Sequence, residues 1–358
     1  MKGKIPRQIL TYLPGRLIEE GILTQYRKMG RTGLKVSAIC LGSMTYGSQV
    51  GEAEAINIIE SALAAGVNFF DTADAYVDGR AEEIVGKALK GKRQSVVLAT
   101  KVEHRMGLGV NDVGLSRKHI MQGIEDSLRR LGTDYIDLYY VHEPDYDTPI
   151  EETLRALDDL VHQGKVRYIA CSNFSAWQLC KALWVSDLHH LARFDCIQPP
   201  YNLLTRDIEY ELLPLCASEG VGVCVFNPLA GGLLTGKYDP HKPPAEGTRF
   251  ALQYGTRAVG QLGTLYRERY WSAANFEAVA SIRQIAKEHG RSLPQFALAW
   301  ILSNEVVTSA ICGATSLKHL EQNLGATEVK LSEEELAACD GVWQQLRPIR
   351  FFYGSQEL

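Results

Sequence analysis

The 358-residue sequence has no uninterrupted apolar run long enough to span a bilayer. Near its start Ile9-Leu10 and Leu17-Ile18 are separated by Pro14, Gly15 and Arg16, which does not make the core of a secretory leader. It has no strong charge of either sign. A net charge of −4 gives no electrostatic case for nucleic acid or for a membrane surface. It has no paired cysteines: the eight stand singly, with no Cys-x-x-Cys, and several fall inside apolar runs. That pattern reads as reduced core thiols in a cytoplasmic protein and argues against a thiolate zinc site, so no metal centre is expected. Two phosphate-loop signatures are also incomplete. The first strand leads to Gly42-Ser-Met-Thr-Tyr-Gly47, not to Gly-x-Gly-x-x-Gly, which speaks against a doubly wound dinucleotide fold. Gly231-Gly-Leu-Leu-Thr-Gly236-Lys237 is followed by Tyr238, where a P-loop needs Ser or Thr for magnesium.

What is present is alternation. Short apolar runs at 36–41, 67–70, 95–100, 136–141, 166–171, 196–198, 221–226 and 307–311 alternate with helical periodicity. Ile56, Ile59 and Leu63 share one helix face, with Gly66 as its stop. Ser116 is placed to cap a helix carrying Ile120, Ile124, Leu128 and Leu131, and Gly132 ends it. Thr148-Pro149-Ile-Glu151 has the form of a capping box with proline at the first helical position, and Ser332-Glu-Glu-Glu335 the form of another. Residues 240–270 show prolines, glycines and arginines without periodicity and read as a long binding loop. Eight strand–helix units predict a parallel sheet closed as a (β/α)8 TIM barrel, α/β in class. The expected organisation is an N-terminal extension over 1–24, a single barrel domain over 25–346 with an N-terminal β-hairpin and C-terminal extra helices, and a tail over 347–358. No signal for oligomeric state is legible.

Three consecutive strands finish in ionisable residues. Asn68-Phe-Phe-Asp71-Thr-Ala-Asp-Ala-Tyr76 ends one, Lys101 closes the next and His142 the one after. In a parallel barrel these ends share a face, so Asp71, Tyr76, Lys101 and His142 are expected to converge. Singly, each has an ordinary reading as a structural ion pair or a core histidine. Together and in order they point to catalysis.

The phrases Asp71-Thr-Ala-Asp-Ala-Tyr76, Ala99-Thr-Lys101, Val141-His142-Glu-Pro-Asp145, Ser172-Asn173-Phe174, Gln198-Pro-Pro-Tyr201-Asn202, Phe226-Asn227-Pro228-Leu229 and Gly313-Ala-Thr315 follow one another. In that order they resemble the aldo-keto reductases, over about Tyr26 to Trp343. The branch most similar contains bacterial glyceraldehyde-phosphate reductases and potassium-channel beta subunits. The resemblance implies NADPH-dependent reduction of a small-molecule aldehyde or ketone, with Tyr76 as general acid, Lys101 lowering the phenol pKa from its usual ~10, Asp71 holding Lys101 and His142 orienting the carbonyl. It implies that Ser172, Asn173 and Gln198 hold the nicotinamide carboxamide. Phe226, a tyrosine in many relatives, stacks on the ring. Gly231, Gly232 and Lys237 then serve the pyrophosphate, and Asn227, Pro228 and Leu229 bind elsewhere on the cofactor. Arg249, Gly313, Thr315, Lys318, His319, Gln322 and Asn323 serve the remainder of NADP(H). Tyr46, Val77, His104, Met106 and Glu143 are the candidates for a mixed polar and apolar substrate pocket. Two other readings compete: a redox-sensing regulatory subunit of the channel type, and a barrel aldolase using Lys101 as a Schiff base.

Overall fold

The computed structural model describes residues 24–251 and 262–347. The expected N-terminal extension and C-terminal tail, apart from Thr24 and Arg347, lie outside them. Strands β1 (Tyr26–Lys28) and β2 (Lys35–Ser37) form an antiparallel hairpin. Then come β3 (Ile39–Gly42), β4 (Phe69–Asp71), β5 (Val97–Val102), β6 (Ile136–Val141), β7 (Val166–Ser172), β8 (Phe194–Gln198), β9 (Gly222–Val225) and β10 (Val307–Gly313). These last eight are parallel and close into a barrel, β10 pairing with both β3 and β9. Helices α1 (Glu52–Ala64), α2 (Arg80–Leu89), α3 (Arg117–Leu131), α4 (Ile150–His162), α5 (Ala176–His189) and α6 (Leu212–Glu219) follow β3 to β8 in turn. The β9–β10 connection holds α7 (Leu262–Tyr270), α8 (Ala273–Glu288) and α9 (Leu293–Ser303). After β10 come α10 (Leu317–Gly325) and an additional α11 (Glu333–Leu346). Among the described residues no helix is long and apolar enough to cross a membrane.

The barrel interior is filled by alternate strand residues, among them Cys40, Phe69, Val97, Leu138, Tyr140, Cys196 and Cys224. Small thiols beside large rings let layers from neighbouring strands interlock. The singly spaced cysteines are therefore mostly core, and Cys180 on α5 is the exposed one. The hairpin plugs the amino end of the barrel with Met29 and Val36, both fully buried against that interior. This plug explains a difference from the sequence expectation of one strand over 36–41. Val36 turns onto the plug, the chain breaks at Ala38, and only Ile39–Gly42 joins the barrel.

Local signals act largely as read. Ser116 accepts a hydrogen bond from the His119 amide, Gly132 is left-handed at the end of α3, and Ser175 and Ser332 complete capping boxes with Gln178 and Glu335. Thr148 does not cap α4. Its hydroxyl donates to Asp145 at 2.6 Å, and Pro149 stands at the cap position. Asp145 wins because it also gathers the Leu115 and Asp147 amides, making it the better acceptor. The stretch at 240–270 is not all loop. Arg249–Ala251 is a helical turn and α7 is regular, because Tyr266 and Tyr270, one turn apart, bury beside Phe250.

The plug makes one glycine decisive. Gly30 has φ +50°, and a Cβ there would fall on the backbone of Gly220 and Gly222. Gly30→Ala is expected to destabilise the protein by about 2–4 kcal/mol through strain and forced separation. A lower urea midpoint at unchanged slope checks this; a shift below ~0.5 kcal/mol contradicts it.

Candidate active site

All the convergent residues lie at the carboxyl ends of the strands. Asp71 ends β4, and Lys101 is the penultimate residue of β5, with no exposed surface. The Lys101 ammonium donates to Asp71 Oδ1 at 2.6 Å, to the Thr72 carbonyl at 2.8 Å and to the Tyr76 hydroxyl at 3.3 Å. Its three N–H donors are thereby used, which is what keeps a buried cation tolerable. The other Asp71 oxygen accepts from Gln198 Nε2 at 2.9 Å, tying β8 to the pair. Burial opposes the Lys101 charge, but Asp71 and Tyr76 more than compensate and hold its pKa above the usual lysine value. A Schiff-base nucleophile needs the neutral amine, so this geometry counts against the aldolase reading.

Tyr76 reaches the site from the loop before α2, half-buried and lining a cavity. Its titration runs opposite to the sequence expectation. Removal from bulk water raises the phenol above 10.0, and the lowering by Lys101 does not overcome it. In the chain alone the phenol is thus a firmly held proton donor. His142 follows β6, its ring edge-on to Tyr76 with centroids 5.8 Å apart, and His104 lies against it at 4.2 Å. Burial, then His104, then Lys101 hold the His142 pKa well below 6.5, so the imidazole is neutral near pH 7.

The cavity above them is about 650 Å³, in the range of small-molecule clefts. Asp71, Tyr76, His142, Ser172, Asn173, Gln198, Phe226, Asn227, Pro228, Leu229, Gly231, Gly232, Lys237, Arg249, Gly313, Thr315, His319 and Asn323 all line it. Lys318 and Gln322 do not. They sit on α10 without lining the cavity, whereas His319 and Asn323 of the same helix do. Of the pocket candidates, Val77, His104 and Glu143 reach it, while Tyr46 is fully buried behind it and Met106 stays outside.

Several lining features match a carboxamide and phosphates. Ser172 donates to the Gln198 carbonyl at 2.8 Å, and Asn173 Nδ2 donates to the His142 carbonyl at 2.9 Å. These bonds leave the Asn173 and Gln198 side-chain oxygens without a partner among the described residues. Asn173 is left-handed at φ +61°, an unusual conformation for a non-glycine that turns its side chain inward. Gly231 and Gly232 have φ +66° and +98°, and a Cβ on Gly231 would meet the Tyr266 ring at 2.6 Å. The segment is a kinked helical turn, not the loop-to-long-helix of a P-loop. Lys237 and Arg249 have no carboxylate partner among the described residues. Arg249 rests on Met44 and the Tyr266 hydroxyl, and His319 pairs with Thr315 at 2.9 Å.

Sequence reading missed Met44, Thr45 and Gln49 after β3, and Tyr238, Tyr266 and Arg269 in the β9–β10 connection. Gln49 Nε2 donates to the Gly247 carbonyl at 2.7 Å, so the two missed groups meet. The four-residue aromatic step Tyr266–Tyr270 is the signal that identifies α7. A smaller cleft of about 400 Å³ lies at the amino end, lined by Arg31, Arg167 and Asp195 among others, and none of the converging residues is there.

A buried ammonium, a proton-bearing phenol and a neutral imidazole at one cavity floor are suited to giving a proton to a substrate oxygen. The family model of the aldo/keto reductase family matches residues 38–344. A probable voltage-gated potassium channel subunit beta of Arabidopsis thaliana is 40% identical over 317 residues, covering 85% of this chain and 92% of the relative. A protein of the same description from Oryza sativa subsp. japonica is 41% identical over the same shares. A putative one from Schizosaccharomyces pombe is 39% identical, over 88% and 92%. The chain belongs to the aldo/keto reductase family, oxidoreductases whose members generally use NAD(P)H.

Proposed function

We propose that this chain reduces an aldehyde or ketone to an alcohol, reversibly, with NADPH, and that Tyr76 is the general acid. The observation that carries the reading is the fully buried Lys101 ammonium bonded at once to Asp71 and to the Tyr76 hydroxyl. The cofactor, when bound, supplies the hydride to the carbonyl carbon. Asp71 keeps Lys101 charged and aimed. His142, being neutral, orients the carbonyl oxygen by hydrogen bonding, and Tyr76 delivers its proton to that oxygen as charge develops there. Lys101 then stabilises the phenolate left behind. Asn173 and Gln198 offer amide oxygens to a carboxamide N–H₂, with Ser172 bracing them, and Phe226 gives the ring a face to stack on. Gly231 and Gly232 let the pyrophosphate approach the backbone near Lys237. Arg249, Thr315 and His319 are assigned to the 2′-phosphate.

A second reading, an auxiliary channel subunit with slow turnover, is favoured by the likeness to potassium-channel beta subunits. Steady-state turnover of a panel of aldehydes, ketones and sugar carbonyls with NADPH separates the two, since only the enzyme reading expects substantial kcat.

Replacing Tyr76 by Phe is expected to cut reduction by about 10²–10⁴-fold while NADPH still binds. Turnover within a few-fold of wild type rules the assignment out. The pH behaviour follows from the raised phenol. A group with an elevated pKa keeps its proton through neutrality, so reduction should hold across neutral pH and decline only as pH climbs through that raised value, where oxidation gains. Lys101→Met removes the lowering cation and should move the Tyr76 tyrosinate transition higher still. It is read by ultraviolet titration of the cofactor-free protein against Tyr76→Phe. A wild-type transition below 10, or one indifferent to Lys101, contradicts the account.

For cofactor choice, Arg249→Ala should lower NADPH efficiency selectively, about tenfold for each ~1.4 kcal/mol of phosphate binding energy removed. Lys237→Ala should weaken NADPH and NADH together, and Lys318→Ala neither. A wild type preferring NADH, or an Arg249→Ala variant impaired equally with both, would show the 2′-phosphate assigned to the wrong place.

A further inference from the structure

Beside the proton-donating groups stands a second constellation that takes no direct part in the proposed proton transfer. Glu103 and His104 follow β5, Glu143 follows β6, and these strands pair up to Val102 and Val141. Register alone therefore brings the three together on the carboxyl face of the barrel. Nδ1 of His104 lies 2.8 Å from Glu103 Oε2 and 3.8 Å from Glu143 Oε1, and one ligand atom from each residue falls within 4.8 Å of the others. Two carboxylates thus face one imidazole nitrogen, which has at most one proton to give. Neither carboxylate has a Lys or Arg ion-pair partner among the described residues. Glu103 is only 8% exposed, and His104 is the one basic group paired with it among the described residues. Two carboxylates gathered within 4.8 Å around one imidazole nitrogen, one of them nearly buried, repel each other unless a proton or a cation lies between them.

We propose that Glu103, His104 and Glu143 form a binding site for one divalent cation of the zinc class. Imidazole with carboxylate oxygens is the donor mixture that suits such ions. Mg²⁺ and Ca²⁺ call for all-oxygen shells of six or more. Bonds of about 2.0–2.2 Å to tetrahedral ligands set donors roughly 3.3–3.5 Å apart, between the two separations seen here, so small side-chain rotations complete the site. His104 and Glu143 both line the cavity, which leaves the fourth position open to it. The scattered cysteines gave no hint of this site, because it contains no thiolate. It is independent of whether the chain is an NADPH enzyme.

The test is metal binding to the purified, cofactor-free full chain after chelator treatment and desalting. Zn²⁺ is followed by calorimetry and Co²⁺ by its visible spectrum. One equivalent per chain is expected, with a low-symmetry Co²⁺ spectrum and no competition from excess Mg²⁺. Glu103→Gln, His104→Gln and Glu143→Gln should each weaken binding by at least about tenfold, since each removes one of three ligands. Thermal melting guards against misfolded variants. In chelator the Glu143→Gln protein should melt no lower than wild type, and Zn²⁺ should raise the wild-type midpoint but not the variant's. Absence of binding at millimolar Zn²⁺, or one equivalent persisting unchanged in the Glu103→Gln and Glu143→Gln proteins, overturns the proposal.

Discussion

An ammonium with no exposed surface is the constraint on which this structure depends. Isolating a charge from water costs several kcal/mol even after relaxation, and only close, well-aligned acceptors offset it. Lys101 finds them in Asp71, the Thr72 carbonyl and the Tyr76 hydroxyl. Asp71 is in turn held by Gln198, which lies on β8, across the barrel from β4 and β5. The closed barrel is what brings β4, β5 and β8 together around them. The stability of the buried cation and the assembly of the site are consequently one event. The glycine-tight plug at the amino end, where Gly30 meets Gly220 and Gly222, supports the same closure from below.

The buried cation also sets the protonation of its neighbours, with opposite results. At His142 it acts with burial and with His104, and all three favour the neutral ring. At Tyr76 it acts against burial and does not prevail. The site therefore holds a neutral hydrogen-bonding imidazole and a protonated phenol at once. Such a pairing has a proton to give to an oxygen on which negative charge develops.

The barrel was legible because its signals are local and repeated. Strand-end ionisable residues such as Asp71 and Lys101 stand out against apolar strands, and period and length separate the helices. What was not legible depended on competition or on long-range packing. Thr148 looks like a helix cap, but Asp145 takes its hydroxyl from the helix. The residues at 262–270 look aperiodic because only Tyr266 and Tyr270 mark the buried side of α7. Lys318 carries the charge a phosphate wants, yet a one-residue step around α10 gives the cavity to His319. The direction of the Tyr76 shift required knowing how deeply its hydroxyl is buried. Glu103, His104 and Glu143 were readable singly as pocket or loop residues, but only the β5–β6 register makes them a group.

The central claim is that the negative charge of Asp71, through Lys101, makes Tyr76 a competent acid. Asp71→Asn preserves the shape of the side chain while removing that charge. The most direct measurement is single-turnover reduction of a good aldehyde substrate by the Asp71→Asn protein at pH 7, alongside its NADPH affinity. The predicted result is a loss of at least about 10²-fold in the chemical step, with affinity changed by no more than about threefold. A rate constant within threefold of wild type would contradict it.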